Sequence, residues 1–233
     1  IVYADTLLNC EATASDVDNE NVTITYEWTN QDSTVLGSEA SLQLDPSIAS
    51  VLDVLTCTAT ASDPHGETDL DAFAVTVANT DPVVTTATEI TGDPTTTSTL
   101  SCSAVFDDLN DGALSLGYSW TNQDGIELST SDTYTIAPSE TETGDVLTCT
   151  VSGVDAEGVA IDSSASTTIE NTAPVIASVS LDKTSPISQD SLTCTVDSAI
   201  DIDEDAITYN YTWTVDGQVH SETTNMFASP LLV

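Results

Sequence analysis

The cysteines fall on a fixed step. Cys10 and Cys57 lie 47 residues apart, Cys102 and Cys149 repeat that spacing, and Cys10, Cys102 and Cys194 follow one another at intervals of 92. Trp28, Trp120 and Trp213 keep the step to within one residue, Pro46, Pro138 and Pro230 keep it too, and Thr-Asn-Gln-Asp recurs at Thr29 to Asp32 and Thr121 to Asp124. Self-similarity at one period means that a single supersecondary unit has been copied, so this chain cannot be one large irregular fold.

Short linkers close the repeats. They read Asn79-Thr80-Asp81-Pro82-Val83-Val84 and Asn171-Thr172-Ala173-Pro174-Val175-Ile176, where each proline favours an extended approach and cannot donate to a ladder. Three domains are expected, at 1–81, 82–173 and 174–233. The first is expected to lack its opening strand and the third to stop before its second cysteine, which leaves Cys194 unpaired in this segment. The chain thus reads as a piece of a longer array.

Alternation sets the class. In Thr23 to Trp28 polar and apolar residues take turns, and Leu114, Leu116, Tyr118 and Trp120 present the same inward face in the second repeat. Ser, Thr, Asp, Gly and Pro gather at the breaks and no convincing helical stretch intervenes, so the fold class is all-β, with Trp28, Trp120 and Trp213 in the core. Leu8, Cys10 and Ala12 alternate in the same way, as do Leu55, Cys57 and Ala59. Both cysteines of a repeat therefore point inward from different strands and can meet across the interior. Buried disulfides Cys10–Cys57 and Cys102–Cys149 follow, the alternative being free buried thiols. Disulfides place the protein outside a reducing cytosol, secreted or on the cell surface.

Charge narrows the partners. Lys183 is the sole Lys or Arg against 39 Asp and Glu, a net charge of −38, although charged residues make up only 17% of the chain. The acidity comes from missing cations. Nucleic-acid binding needs basic side chains to neutralise phosphates and is excluded, and docking on an anionic membrane is disfavoured. No apolar run is long enough for membrane insertion of this segment. With 39% hydrophobic residues the chain can bury a core, and its natural small partners are metal ions. Scarcity of Lys and Arg also suits high salt, which screens repulsion, or evasion of trypsin-like proteases.

A cysteine, a tryptophan eighteen residues on, and a second cysteine preceded by Asp-Val-Leu-Thr (Asp53 to Thr56, Asp145 to Thr148) resemble an immunoglobulin-type sandwich, in which the tryptophan packs on the disulfide between strands B and F. Leu55 and Leu147 stand where the antibody family places a tyrosine, so the tyrosine corner is absent and an antigen-receptor reading is unsupported. The Asp-rich turn before Ile-Thr-Tyr-x-x-Trp and the Asn-Thr-x-Pro-Val linkers are similar instead to tandem immunoglobulin-like, polycystic-kidney-disease-type and cadherin-like repeats of large bacterial surface and secreted proteins. That resemblance implies immunoglobulin-like β-sandwich domains joined by short proline-containing linkers. It implies an architecture and no activity.

Acidic residues recur between the first-cysteine strand and the tryptophan strand: Asp16, Asp18 and Glu20; Asp107, Asp108, Asn110 and Asp111; Asp201, Asp203 and Asp205. In the sandwich that the resemblance implies, this loop shares an end with the hairpin carrying Asp63, or Asp155 and Glu157, and adjoins the linker. Asn79, Asp81 and Asn171 then join the candidates. Hard oxygen ligands on adaptable loops suit Ca²⁺, which takes about six to eight of them, while the lack of Cys or His clusters disfavours zinc. The competing reading is a set of solvated turn residues, since Asp caps turns. No EF-hand pattern is met: Ala206 follows Asp205, and Thr212 occupies the twelfth position.

Catalysis finds no support. His65 and His220 do not recur between repeats, no nucleophile elbow, zinc spacing or phosphate loop appears, and paired carboxylates are expected in so acidic a chain. The expected function is a structural stalk or fibre segment of an extracellular repeat protein, stiffened by Ca²⁺ and assembled in a filament. Its partners would be neighbouring repeats of the same longer chain and like chains. An adhesin or carbohydrate-binding module, and accessory domains of a large secreted enzyme, are the alternatives. The sequons at Asn21 and Asn210 and the Thr95 to Thr97 run permit glycosylation.

Overall fold

The computed structural model describes residues 1–187 and 189–228; residue 188 and residues 229–233, with Pro230 among them, lie outside the described residues. Among the described residues there is no helix, and so none long and apolar enough to cross a membrane. The chain is all-β.

Three successive groups of strands follow the repeats. The first holds β1 (Leu7–Asn9), β2 (Thr23–Thr29), β3 (Val35–Gly37), β4 (Ser41–Gln43), β5 (Val54–Ser62) and β6 (Thr68–Thr76). The second holds β7 (Val83–Thr91), β8 (Thr99–Asp108), β9 (Gly112–Ala113), β10 (Leu116–Thr121), β11 (Glu127–Ser129), β12 (Thr133–Thr135), β13 (Val146–Val154) and β14 (Ala160–Thr168). The third holds β15 (Val175–Leu181), β16 (Leu192–Ile200), β17 (Thr214–Val215), β18 (Gln218–Val219) and β19 (Met226–Phe227).

One sheet order appears twice. The four-stranded sheet β3-β2-β5-β6 matches β11-β10-β13-β14 position for position, and the facing sheets are β1-β4 and β12-β8-β7. Each disulfide joins the two layers. Cys10, next to β1, bonds Cys57 of β5 with Cα atoms 6.4 Å apart, and Cys102 of β8 bonds Cys149 of β13 at 6.5 Å. The register Trp28↔Cys57 sets the first tryptophan directly opposite its disulfide. Cys194 is a free thiol, half-buried in β16.

Each tryptophan is fixed at its polar tip as well as its face. The indole Nε1 of Trp28, Trp120 and Trp213 donates to the carbonyl eleven residues onward, at Glu39, Ser131 and Thr224, each at 3.0 Å. A buried indole N–H needs such a partner, and the bond also pins the hairpin that leads to the next strand. Trp28 is 4% exposed and Trp120 fully buried. Trp213 is only half-buried, against Phe227 at 5.3 Å between ring centroids, because the third repeat has no second-cysteine strand among these residues to cover it.

The recurring Thr-Asn-Gln-Asp motif now has a cause. Asn30 and Asn122 accept two backbone amides each to close a tight turn, and Gln31 and Gln123 reach 2.7 Å to Asp53 and Asp145, at the mouths of β5 and β13. In the third repeat Asp216 and Gly217, at φ 49° and 79°, make the turn between β17 and β18 instead. Two positive φ values suit a two-residue hairpin connection, where Gly carries no Cβ penalty.

The chain divides into two compact units. The first comprises Ile1–Thr88, Ala104–Gly117 and Val151–Ser163, so it takes in the loop end of the second repeat. Its core packs Leu8, Trp28, Leu42, Leu44, Leu55, Cys57 and Val77 from both layers. The second comprises Glu89–Ser103, Tyr118–Thr150 and the described residues from Ser164 on, around Leu100, Cys102, Trp120, Tyr134, Ile136, Leu147 and Cys149.

Replacing Cys102 and Cys149 together by alanine releases a 47-residue loop and is expected to lower stability by about 4 kcal/mol in denaturant unfolding, on the chain-entropy account. Tyr134 gives a pH test. Burial, and then its hydrogen bond to Glu140, pushes its phenol from 10.0 up to about 12. The folded state holds that proton more tightly than the unfolded chain does, so its contribution to stability is complete below pH 10.0 and is lost as pH rises through about 12. In Tyr134→Phe that alkaline loss, followed by thermal melting, becomes shallower.

Candidate functional site

Alternation along β8 carries a charge indoors. Leu100, Cys102, Ala104, Phe106 and Asp108 all face inward and all are buried, so the period that builds the core ends on a carboxylate that is 3% exposed. Asp108 Oδ1 accepts from the Asn110 amide at 2.7 Å and the Asp111 amide at 3.2 Å, closing the turn into β9. Its Oδ2 has no hydrogen-bond partner. The same cap occurs in the other repeats, from Asp18 N to Asp16 at 2.7 Å and from Asp203 N to Asp201 at 2.9 Å. Turn capping therefore accounts for one oxygen at each place.

The facing hairpins use aspartate in the same way. Asp63 Oδ1 accepts from His65 N and Glu67 N, both at 2.9 Å, and Asp155 Oδ1 accepts from Val159 N at 2.6 Å. Asp155, 6% exposed, also takes a hydrogen bond from Asn79 Nδ2 at 2.8 Å, which brings in the linker. Burial pushes its carboxyl up, but the bonds from Asn79 and from the hairpin amides outweigh that and hold it below the usual carboxylate range. Asp111 Oδ2 ties loop to hairpin by accepting from Ala156 N at 2.8 Å.

At both linkers a threonine is clasped by the loop of the repeat that follows. Asn110 Oδ1 accepts from Thr80 N at 2.9 Å and from the Thr80 hydroxyl, and Asp203 Oδ2 accepts from Thr172 N at 2.5 Å. Sequence reasoning missed these threonines, although their recurrence in the Asn-Thr-x-Pro linkers was the available signal.

Two carboxylate clusters form among the described residues. Asp16, Glu20 and Asp63 come together in the first repeat, and Asp111, Asp155 and Glu157 in the second, each set with ligand atoms within 4.8 Å of one another. Glu20 also meets His65 Nε2 at 3.2 Å. Glu157 is pushed above the ordinary range, first by desolvation and then by the negative charges of Asp111, Asp155 and Asp108. Asn79 Oδ1 and Asn110 Nδ2 are buried there without hydrogen-bond partners. Asp18, Asp81, Asp107, Asp108, Asp201, Asp203 and Asp205 join neither cluster, and the Asn171 side-chain amide bonds the Thr172 carbonyl of its own linker at 3.1 Å.

A cleft of about 460 Å³ opens in the first repeat, lined by Ala12, Ala14, Ile24, Ala61, Leu70 and Asp71 among others. In the second repeat the places of Ala14 and Ala61 are taken by Phe106 and Gly153, and a Cβ on Gly153 would meet the Phe106 ring at 3.1 Å. The phenyl ring fills there the space that two alanines leave open.

No protein-family model matches the chain, and no curated protein matches it in sequence.

Asn110→Ala removes both acceptor contacts to Thr80 and is expected to cost about 1 to 2 kcal/mol in urea unfolding.

Proposed function

We propose that the chain is a structural segment of a secreted or cell-surface repeat protein, a stalk of tandem immunoglobulin-like sandwiches at 1–81, 82–173 and 174–233 joined by short proline-containing linkers. The observation that carries this is the clasp at both linkers, where a loop of the following repeat holds the threonine amide. A spacer needs each module oriented by its predecessor, and an enzyme gains nothing from repeating that device. The two inter-layer disulfides support an oxidising environment. The matched sheet orders support the immunoglobulin-like assignment. Neighbouring repeats are the first partners, and like chains in a filament the second.

A second reading, an adhesive or carbohydrate-binding module, rests on the first-repeat cleft, whose size suits a small ligand. The accessory-domain reading has no observation of its own.

Single-molecule stretching of the whole chain tests the stalk. Unfolding in discrete force steps is expected, with reduction of each disulfide releasing 47 further residues, roughly 160 Å of chain. Smooth extension without force steps would contradict the proposal, and glycan-array binding abolished by Ala14→Phe would favour the second reading.

A further inference from the structure

The carboxylate cluster of the second repeat has no internal cation. Asp111, Asp155 and Glu157 bring ligand atoms within 4.8 Å of one another beside the first linker, and Asp108, buried like Asp155, adds its charge at Glu157. Lys183 is the sole Lys or Arg of the sequence, and it bonds Asp190 at 2.7 Å in the third repeat. His65 meets Glu20, and His220 packs edge-on against Phe227 at 5.3 Å. No basic side chain is therefore left for this cluster. Burying a carboxylate oxygen with neither a hydrogen bond nor a counter-charge is strongly unfavourable, and Asp108 Oδ2 is in that condition.

We propose that these four carboxylates, together with Asn79 Oδ1, bind one calcium ion at the junction of the first two repeats. The donor set is all oxygen, which suits a hard cation and not zinc. Asn79 Oδ1 is a second buried oxygen without a partner, and its amide nitrogen is already bonded to Asp155, so the linker and the hairpin would share the ion. Asn110 Nδ2, a donor, takes no part; its Oδ1 stays with Thr80. The equivalent acids of the third repeat, Asp201, Asp203 and Asp205, form no such cluster, so the site is specific to this junction. Asp16, Glu20 and Asp63 are the rival, but none of them is buried as Asp155 is, and they leave no buried oxygen unpartnered. The inference goes beyond the stalk and does not depend on it: a chain with another role would bind the ion equally.

The test is calorimetric titration of the full chain, stripped by chelator, with Ca²⁺ and with Mg²⁺, alongside thermal melting. Saturable Ca²⁺ binding is expected with Kd on the order of 10⁻⁴ to 10⁻³ M, weaker Mg²⁺ binding, and a Tm that rises with Ca²⁺. Glu157→Gln removes one ligand from an exposed turn. It is expected to weaken binding at least about tenfold and to leave the Tm in chelator unchanged or higher, because a repelling charge is lost. Glu20→Gln should leave the affinity unchanged. Absence of saturable binding would overturn the assignment, as would a loss of binding in Glu20→Gln that Glu157→Gln does not share.

Discussion

Everything in this structure leans on the contact between an inter-layer disulfide and a tryptophan on the neighbouring strand. Trp28 stands opposite Cys57 in the register of β2 and β5, and Cys57 is tied through Cys10 to the other layer. That arrangement fixes the spacing of the layers, and the eleven-residue bond from each indole then fixes the hairpin that leaves the tryptophan strand. Leu42, Tyr134 and Phe227 fill one equivalent place beside the three tryptophans, so the core tolerates a change of side chain while its geometry persists. In the third repeat, where no second-cysteine strand lies among the described residues, Trp213 keeps its hydrogen bond but is only half-buried.

Most of the fold was legible in the sequence because two independent periods coincide in it. The 92-residue step announced copies, and the two-residue alternation told which way each cysteine faced. The disulfide pairs, the inward faces of β2 and β10 and the absence of helices among the described residues followed from those alone. The candidate site was legible only in outline. Recurrence and the sandwich resemblance together picked out sixteen acids and amides, yet the structure gathers Asp111, Asp155 and Glu157 and leaves Asp107, Asp201 and Asp205 apart, since Asp107 is paired within the β8–β9 hairpin and recurrence says nothing about where a loop folds back. The burial of Asp108 was readable in principle, because it lies in phase with Leu100 and Cys102. The clasps on Thr80 and Thr172 left a trace in the recurring Asn-Thr-x-Pro linkers, but the amide hydrogens they use belong to every residue, so the sequence did not say what would hold them.

The same aspartates serve two purposes. One oxygen of Asp16, Asp108 and Asp201 caps a turn, a local need that any such loop has. The other oxygen of Asp108 is buried without a hydrogen-bond partner, and the scarcity of Lys and Arg gives it no internal counter-charge. On the proposal of a bound cation, the charge balance of the whole chain and the chemistry of one junction are a single matter: with so few basic side chains in the sequence, the buried acids would be neutralised from solution.

The central claim is that each of the first two repeats closes on its own disulfide. Non-reducing peptide mapping, with cleavage at glutamate because trypsin has almost nothing to cut, tests it most directly. The account predicts Cys10 linked to Cys57, Cys102 linked to Cys149, and Cys194 open to alkylation. A bond joining cysteines of different repeats, or alkylation of all five, would contradict it.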